Sequence, residues 1–597
     1  MRVLLAAAPH RDTFGYSMPP PGLLRLGGAL ERAGFDVALE DLPHRVAAGV
    51  LPADDGLGQA AAELLMARGR FDAIGLSVMG ATLPIAIAIA HHLRERAPGV
   101  RLLLGGPGTT GVDHALLERF DAFDALVRGE GEVTLVELLE RWRRNANLVG
   151  VAGVTWRAPD GVRREPDRRP LDDLGTLAPL AWHLLEPFAA YSALAGGDEG
   201  LVPIDSGRGC VFDCSFCTIG RFWSRRSRVV PVDALLRQIL DVATRPGAAH
   251  AYLCHDIFGA NREHALELCH ELELRGAPVP WECRARVDHL DDELVRAMSR
   301  AGCYRVLLGI ESASPAVRAR NSKNMAPDVD VLAAVRRLVD AGIVPILSLI
   351  LGLPGEGEPE LRASLDLVRD AAQLGGVNVS LHLVNPQPGC GLGEEFGASS
   401  RPVADIPPDM ALGAGTTRAE LELIAAHPDL FSSFALLTGL AGGEAHLRRL
   451  YAIAQGLPPL LERRPRTFQR LGAALGLDTL DLFDALATTD LETLAANDPW
   501  IVATAAWEHA LEHAVEAHAT PLALDVDPTR SRDAATGPVH LAIVRQGERV
   551  RTTRISAVLA HALARAAFDD EANHPAEALL RQTLHDAGLA PARTTPA

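Results

Sequence analysis

Short apolar runs alternate with amphipathic stretches over the first 135 residues. Residues 2–8, 37–39, 73–78, 100–104 and 125–127 are rich in Val, Leu, Ile and Ala and read as buried strands. Between them, apolar positions recur at helical spacing. Leu23, Leu24, Leu26, Leu30 and Ala33 make one stripe, which stops at Gly34; residues 61–67, 83–95 and 135–142 make others. This alternation predicts an α/β fold with a doubly wound parallel sheet. Ligands of such sheets sit beyond the carboxyl ends of the strands. The segments there are small or glycine-rich: Ser77-Val78-Met79-Gly80, Gly105-Gly106-Pro107-Gly108-Thr109-Thr110 and Arg128-Gly129-Glu130-Gly131-Glu132.

Residues 150–200 lose the pattern and read as a linker with a small strand pair around 151–156. A second strand–helix series follows. Its strands are expected at 203–205, 251–254, 281–284, 306–309, 345–349 and 378–383, with helices at 232–243, 261–275, 291–301, 328–341 and 358–374. Six such units predict a partial (β/α)6 barrel, with its chemistry at the carboxyl ends of the strands. From about 400 onward the chain is Ala- and Leu-rich and helical, apart from a hairpin at 540–555 with Gln546-Gly547 as its turn. The expected division is 1–145, a linker at 146–198, a barrel at 199–400 and a mainly helical region at 401–597. No repeat of 20–50 residues is visible.

Composition sharpens this picture. The chain has 597 residues, too many for one core, and 48% of them are hydrophobic, as in globular domains. A formal net charge of −18 argues against a general nucleic-acid partner, since phosphate neutralisation needs clustered Lys and Arg. The N-terminal apolar run is followed by Gly/Pro punctuation and a helix, so it reads as a first strand rather than a signal peptide. The apolar stretches 85–90 and 343–353 are too short to span a bilayer, and a cytoplasmic location without membrane contact is expected.

The chemistry concentrates in the cysteines. Of eight, three fall within eight residues, in Ser206-Gly-Arg-Gly-Cys210-Val-Phe-Asp-Cys214-Ser-Phe-Cys217, just after the first barrel strand. A secreted disulfide scaffold would be shorter and spread its cysteines, so the clustering points to a metal site in a reducing compartment. Zinc normally takes four ligands from paired units, and no second pair lies nearby. Three thiolates suit three irons of a [4Fe–4S] cubane and leave the fourth iron open to a small chelating ligand. Gly207 and Gly209 would let the loop turn close to the cluster. Cys254, Cys269, Cys283 and Cys303 read as small core residues, whereas Cys390, in an expected top-face loop, stays open.

The cysteine motif resembles the signature of the radical S-adenosylmethionine (SAM) superfamily, with Phe216 before the third cysteine. Gly309-Ile-Glu311-Ser312 resembles the fourth-strand motif near the SAM ribose. Gly352-Leu-Pro-Gly-Glu356 and Asn385-Pro-Gln-Pro-Gly389 resemble strand endings of the cobalamin-type members. Together these cover roughly residues 200–400. Residues 1–140 resemble the Rossmann-like cobalamin-binding domain that precedes many such modules, on Gly105-Gly106-Pro107 and on Arg128 to Glu132.

The resemblance implies Cys210, Cys214 and Cys217 as cluster ligands. His255, Asp256, Glu282, Arg284 and Glu311 would lie around SAM or substrate, and Ser77, Met79, Gly105, Gly106, Pro107, Gly129 and Glu130 around cobalamin. Glu282, Arg284 and Arg286 alternate along one strand and so share a face. The segment 221–228 (RFWSRRSR) reads equally as a solvated helix face or an anion contact. A D-x-H-x-x-G cobalt-ligand loop is absent: Asp41-Leu-Pro-His44 has the wrong spacing, His44 reads as a surface or cap residue, and His10 lies outside any such motif. Cobalt is therefore expected without a protein histidine, its lower face toward Ser77–Gly80.

Asp429 to Phe434 (DLFSSF) would either cap the barrel mouth or simply pack, and residues 535–590 weakly resemble a winged-helix module. The implied activity is methylation of an unactivated carbon in a natural product or peptide. An external flavodoxin- or ferredoxin-type electron donor would supply the electron. Non-methylating radical chemistry and polar methyl transfer without SAM homolysis are the rival activities. No acid–base catalyst is expected from the sequence.

Overall fold

The computed structural model describes residues 1–9, 18–194, 200–326, 329–403, 406, 417–439, 442–487, 498–512, 519–524, 528–529, 539–546 and 549–555. His10 lies outside them. The chain forms two compact units, one of residues 1–361 and 376–454, the other of 362–375 and 455–597.

The first unit holds two sheets. The N-terminal sheet has seven strands: β1 (Arg2–Ala7), β2 (Asp36–Asp41), β3 (Ala73–Ser77), β4 (Arg101–Gly105), β5 (Ala125–Val127), β6 (Val154–Ala158) and β7 (Gly161–Arg164). Their order is β2-β1-β3-β4-β5-β6-β7. The first five are parallel, and β6 and β7 continue antiparallel. The strand pair expected inside a linker is thus the edge of this sheet. Alternation along the strands sorts the core onto two faces. Leu102 and Leu104 join the core under helices Leu57–Ala67 and Leu83–Arg96, while Leu103 joins the core under Pro21–Arg32 and Gly131–Arg143. The strand order reverses between β1 and β3, the crevice where such sheets bind ligands. Gly75 of β3 keeps that crevice open, because a Cβ there would press on Leu5 at 2.8 Å.

The second sheet consists of β8 (Leu201–Ile204), β11 (His250–Leu253), β12 (Trp281–Ala285), β13 (Cys303–Glu311), β14 (Val344–Leu351) and β15 (Asn378–Leu383); β9 (Gly207–Arg208) and β10 (Arg228–Val229) make a separate antiparallel ribbon. Spatial order follows chain order and every pair is parallel, with a helix between successive strands. This is the partial barrel the periodicity predicts. The segment after it returns to the N-terminal domain. Ile424, Leu430, Phe431 and Phe434 enter the core beneath helix Leu83–Arg96, and Arg119 grips Asp429 with two hydrogen bonds of 2.8 and 2.7 Å.

In the second unit, helices Pro465–Leu475, Thr479–Leu486 and Pro499–Glu512 accompany an antiparallel sheet of β16 (Ala519–Leu524), β17 (Val539–Gln546) and β18 (Arg549–Ile555). The expected hairpin is β17–β18. Its turn and residues 556–597 lie outside the described residues, so most of the winged-helix segment does too. Among the described residues no helix is long and apolar enough to cross a membrane.

Candidate active site

The cysteine loop begins where β8 ends. The β9–β10 ribbon folds the chain back, and Gly209 takes φ +86°, a conformation that L side chains rarely adopt. Its N–H donates to Asp256 Oδ2 at 2.8 Å. Further along, the Ser215 N–H donates to Asn321 O at 3.0 Å and Ser215 O accepts from the Leu392 N–H at 2.8 Å, while Cys217 N–H closes a turn onto Cys214 O at 3.0 Å. Asn321 is fully buried, and its amide is spent on Val317 O and Pro354 O. Loop shape is therefore set by bonds from its main chain to the Asp256 carboxylate and to the backbone of Asn321 and Leu392. Cys210, Cys214 and Cys217 are free thiols, half-buried, and close enough to raise one another's pKa.

Between the carboxyl ends of the two sheets runs a cleft with about 1540 Å³ of empty space, its open mouth included. Ser77, Gly105, Gly106, Pro107, Gly129 and Glu130 line one side; His255, Asp256 and Arg284 line the other, together with Thr218, Ile219, Phe222 and Trp223 at the cysteine-loop helix. Six sequence candidates stand apart from this lining: Met79, Glu282 and Glu311, and the thiols of Cys210, Cys214 and Cys217, whose loop borders the cleft at Gly207, Arg208 and Thr218. Met79 is 53% exposed. Glu282 accepts from Tyr304 Oη at 3.1 Å and pairs with Arg305. Glu311 is buried against Lys323 Nζ at 2.8 Å. Arg286 lies past the end of β12, stacked 4.0 Å over Phe212 and paired with Asp288 at 2.8 Å. The strand alternation is present, but only Arg284 of the three charges faces the cleft. In the segment 221–228, Arg221, Arg225 and Arg226 pair with Glu394, Asp213 and Asp172.

His44 corrects a reading from sequence. It is buried, its ring 4.4 Å from that of Tyr191, and the helix cap is Asp41, which accepts from His44 N and from Tyr191 Oη at 3.0 Å. Burial pushes the Asp41 carboxyl up to about 6.

The comparisons with known proteins agree with this layout. The Radical SAM superfamily profile matches residues 204–368, and the B12 binding domain profile matches residues 9–139. An uncharacterised methyltransferase of Pyrococcus horikoshii is 26% identical over 66% of this chain and 83% of its own length. An anaerobic magnesium-protoporphyrin IX monomethyl ester cyclase of Rubrivivax gelatinosus is 28% identical over 50% of this chain; the match spans 54% of that cyclase. The solved structure of the radical SAM methyltransferase TsrM from Kitasatospora setae, with cobalamin and a [4Fe–4S] cluster bound, covers 83% of this chain and 99% of its own at TM-score 0.57 and 18% identity, which shows a shared fold.

The chain carries a B12 binding domain followed by a Radical SAM domain. Its cofactors are a [4Fe–4S] cluster, SAM and cobalamin.

The residues present fit those groups. Among the described residues no three His, Cys, Asp or Glu side chains converge tightly enough for a single metal ion. One zinc ion would draw three sulfurs to within ~4 Å of each other, given Zn–S bonds near 2.3 Å; sulfurs that each serve a different iron need no such approach. Burial pushes the thiol of Cys214 up to about 11 and that of Cys217 up to about 12. They stay protonated until highly charged iron enters, so cluster loading and deprotonation are coupled. Lys323 and Arg286 favour the Cys214 thiolate, Lys323 more strongly. His255 is buried with its Nε2 3.3 Å from Ser227 Oγ, and burial lowers its pKa to about 4, so it is neutral. On the cobalamin side glycine backbone lies bare between apolar and polar side chains: Gly106 has φ +107°, and a Cβ on it would meet Val78 N at 2.8 Å.

Sequence reading missed the charges that hold this site together. Arg25 and Asp205 were legible only as polar positions; Arg208 and Glu132 stood inside motifs already singled out, and Arg228 ended the segment read as a solvated face or an anion contact, where it pairs with Glu130. Lys323 carried no signal beyond lying near a strand-end motif.

Proposed function

We propose that this enzyme methylates an unactivated carbon of a natural-product or peptide substrate. The observation that carries the reading is a cleft walled by the carboxyl ends of both sheets and bordered by the cysteine loop at Gly207, Arg208 and Thr218, so that a methyl carrier and a radical source would sit side by side. When bound, the cluster and SAM supply a hydrogen-abstracting radical and cobalamin supplies the methyl group. The chain's own work is to place and shield these groups. The loop from Gly207 to Cys217 presents the thiols, the glycines at 105, 106, 129 and 131 let a broad flat ligand lie against backbone, and Arg284 offers a cation over Tyr252 for a carboxylate of SAM or substrate. Phe222 and Trp223 cover the cleft with apolar surface, which protects a radical from water. Relatives named as methyltransferases support the assignment. An external flavodoxin- or ferredoxin-type donor would deliver the electron, and a cytoplasmic setting suits free thiols.

The test is anaerobic turnover with SAM carrying a deuterated methyl group. Methylation yields a product heavier by a labelled methyl together with 5′-deoxyadenosine. Ring closure, the reading favoured by the cyclase relatives, yields 5′-deoxyadenosine and no labelled product. Labelled product without 5′-deoxyadenosine would mean polar methyl transfer.

A further inference from the structure

Six buried charges tie the cobalamin wall of the cleft to the cysteine loop. Arg208, two residues before Cys210, donates to Glu130 at 3.0 Å, Glu132 at 2.6 Å and Asp205 at 3.0 Å. Asp205, at the end of β8, accepts from Arg25 Nε at 3.0 Å; Arg25 belongs to helix Pro21–Arg32 of the N-terminal domain. Glu130 also accepts from Arg228 at 2.9 Å and from Leu171 N at 2.5 Å. Three cations face three anions, and no side chain among them is more than 11% exposed. Arg208 and Arg228 lie 5.7 and 5.4 Å from the ring of Trp223, which itself lines the cleft.

Such a network is a costly way to join two domains. Buried ion pairs contribute about as much stability as the apolar groups that could replace them, while fixing geometry more strictly. Its placement matters for function. Gly129 and Gly131, the neighbours of Glu130, form cleft wall, so a ligand lying on that backbone bears on the strip that holds Arg208. Arg208 in turn adjoins Gly209, whose N–H is fixed to Asp256, and then Cys210. The path from cobalamin wall to first cluster ligand is five residues long: Gly129, Glu130, Arg208, Gly209, Cys210.

We propose that Arg208 is a positioning residue that couples occupancy of the cobalamin cleft to the geometry of the cluster-binding loop, through its buried pairs with Glu130 and Glu132. The inference rests on the cofactor assignment and not on which reaction the enzyme performs. Because coupling between two sites is reciprocal, it appears as a difference in cobalamin affinity between cluster-loaded and cluster-free protein.

The test is an anaerobic titration of the full-length protein with hydroxocobalamin, with and without the reconstituted cluster. Loaded wild type is expected to bind about tenfold more tightly than the cluster-free form, within the usual range of such couplings. The charge-balanced double variant Arg208→Met/Glu132→Leu is expected to fold, to bind iron fully, and to show affinities equal within about twofold. Arg208→Lys keeps the charge but not the fork that reaches three carboxylates, and is expected to reduce the ratio to about threefold or less; it carries the test if the double variant does not fold. The electron paramagnetic resonance spectrum of the reduced cluster should shift on adding cobalamin in wild type and stay fixed in the variants. A wild-type ratio of one, or a folded variant that keeps the wild-type ratio, overturns the proposal.

Discussion

Along its N-terminal wall the cleft presents glycine: residues 105, 106, 129 and 131 offer backbone and nothing beyond it. Across from them the barrel presents side chains, with Asp205, Arg208, His255, Asp256 and Arg284 on the wall and three thiols behind it. The two walls hold their ligands by different physics. A glycine wall binds by absence, leaving room for a large group to approach the main chain. A side-chain wall binds by charge and ligation, and must neutralise what it buries. The first fails when atoms are added and the second when atoms are removed.

The largest effect is expected from the thiol side. Cys214→Ser should abolish the cluster and all SAM cleavage while leaving a cobalamin-binding chain; iron analysis and cobalamin absorbance read the two sites separately. An intact four-iron cluster in that variant would refute the ligand assignment. Next comes Lys323→Met, which strands the buried Glu311 without its partner. Loss of one member of a buried pair costs ~4 kcal/mol. Urea unfolding of the cluster-free chain should show it, and adding Glu311→Gln should recover much of it.

Two buried groups, one on the barrel wall and one at the end of β2 away from the cleft, titrate with opposite sign. His255 is held neutral, with its pKa lowered from 6.5 to about 4. Its stabilising contribution is complete above pH 6.5 and is lost as the pH falls toward 4, by ~2 kcal/mol at pH 5. Asp41, beside the N-terminal sheet, is raised from 3.8 to about 6, so the native state binds the extra proton and gains ~1 kcal/mol over the same fall from pH 7 to 5. Asp41→Asn should therefore steepen the loss of stability on acidification, and His255→Asn should reduce it. If both variants follow the wild-type curve, neither shift is real. A smaller effect than that at His255 is expected on the glycine side. Gly105→Leu should weaken cobalamin binding about tenfold, ~1.4 kcal/mol, with full iron content. Unchanged cobalamin affinity would mean that the corrin does not lie on that wall.

These contrasts follow what the sequence made legible. Strand positions came through because buried parallel strands are continuous apolar runs; β5 and β15 lie at the predicted residues, and β13 and β14 only extend further. The cysteine triad was legible because its spacing is local. What did not show was pairing across the chain. The alternation around 151–156 marked a strand pair but could not say that β6 would dock on β5. Arg25 and Asp205 are 180 residues apart, and each alone looks like a surface charge; they are buried only because they meet. His44 misled for the same reason, since the apolar cover over its ring comes from Tyr191 in a segment without periodicity. Met79 and Glu282 were placed correctly on strand ends or faces, yet a side chain's direction at a strand end depends on loop geometry that no period encodes.

The central claim is that one cleft serves both cofactors, and a crystal structure of the anaerobically loaded protein tests it most directly. The account predicts the cluster on Cys210, Cys214 and Cys217 and the corrin against Gly105–Pro107 and Gly129–Gly131, both facing the space under Trp223. A corrin bound elsewhere, or a cluster on other ligands, would contradict it.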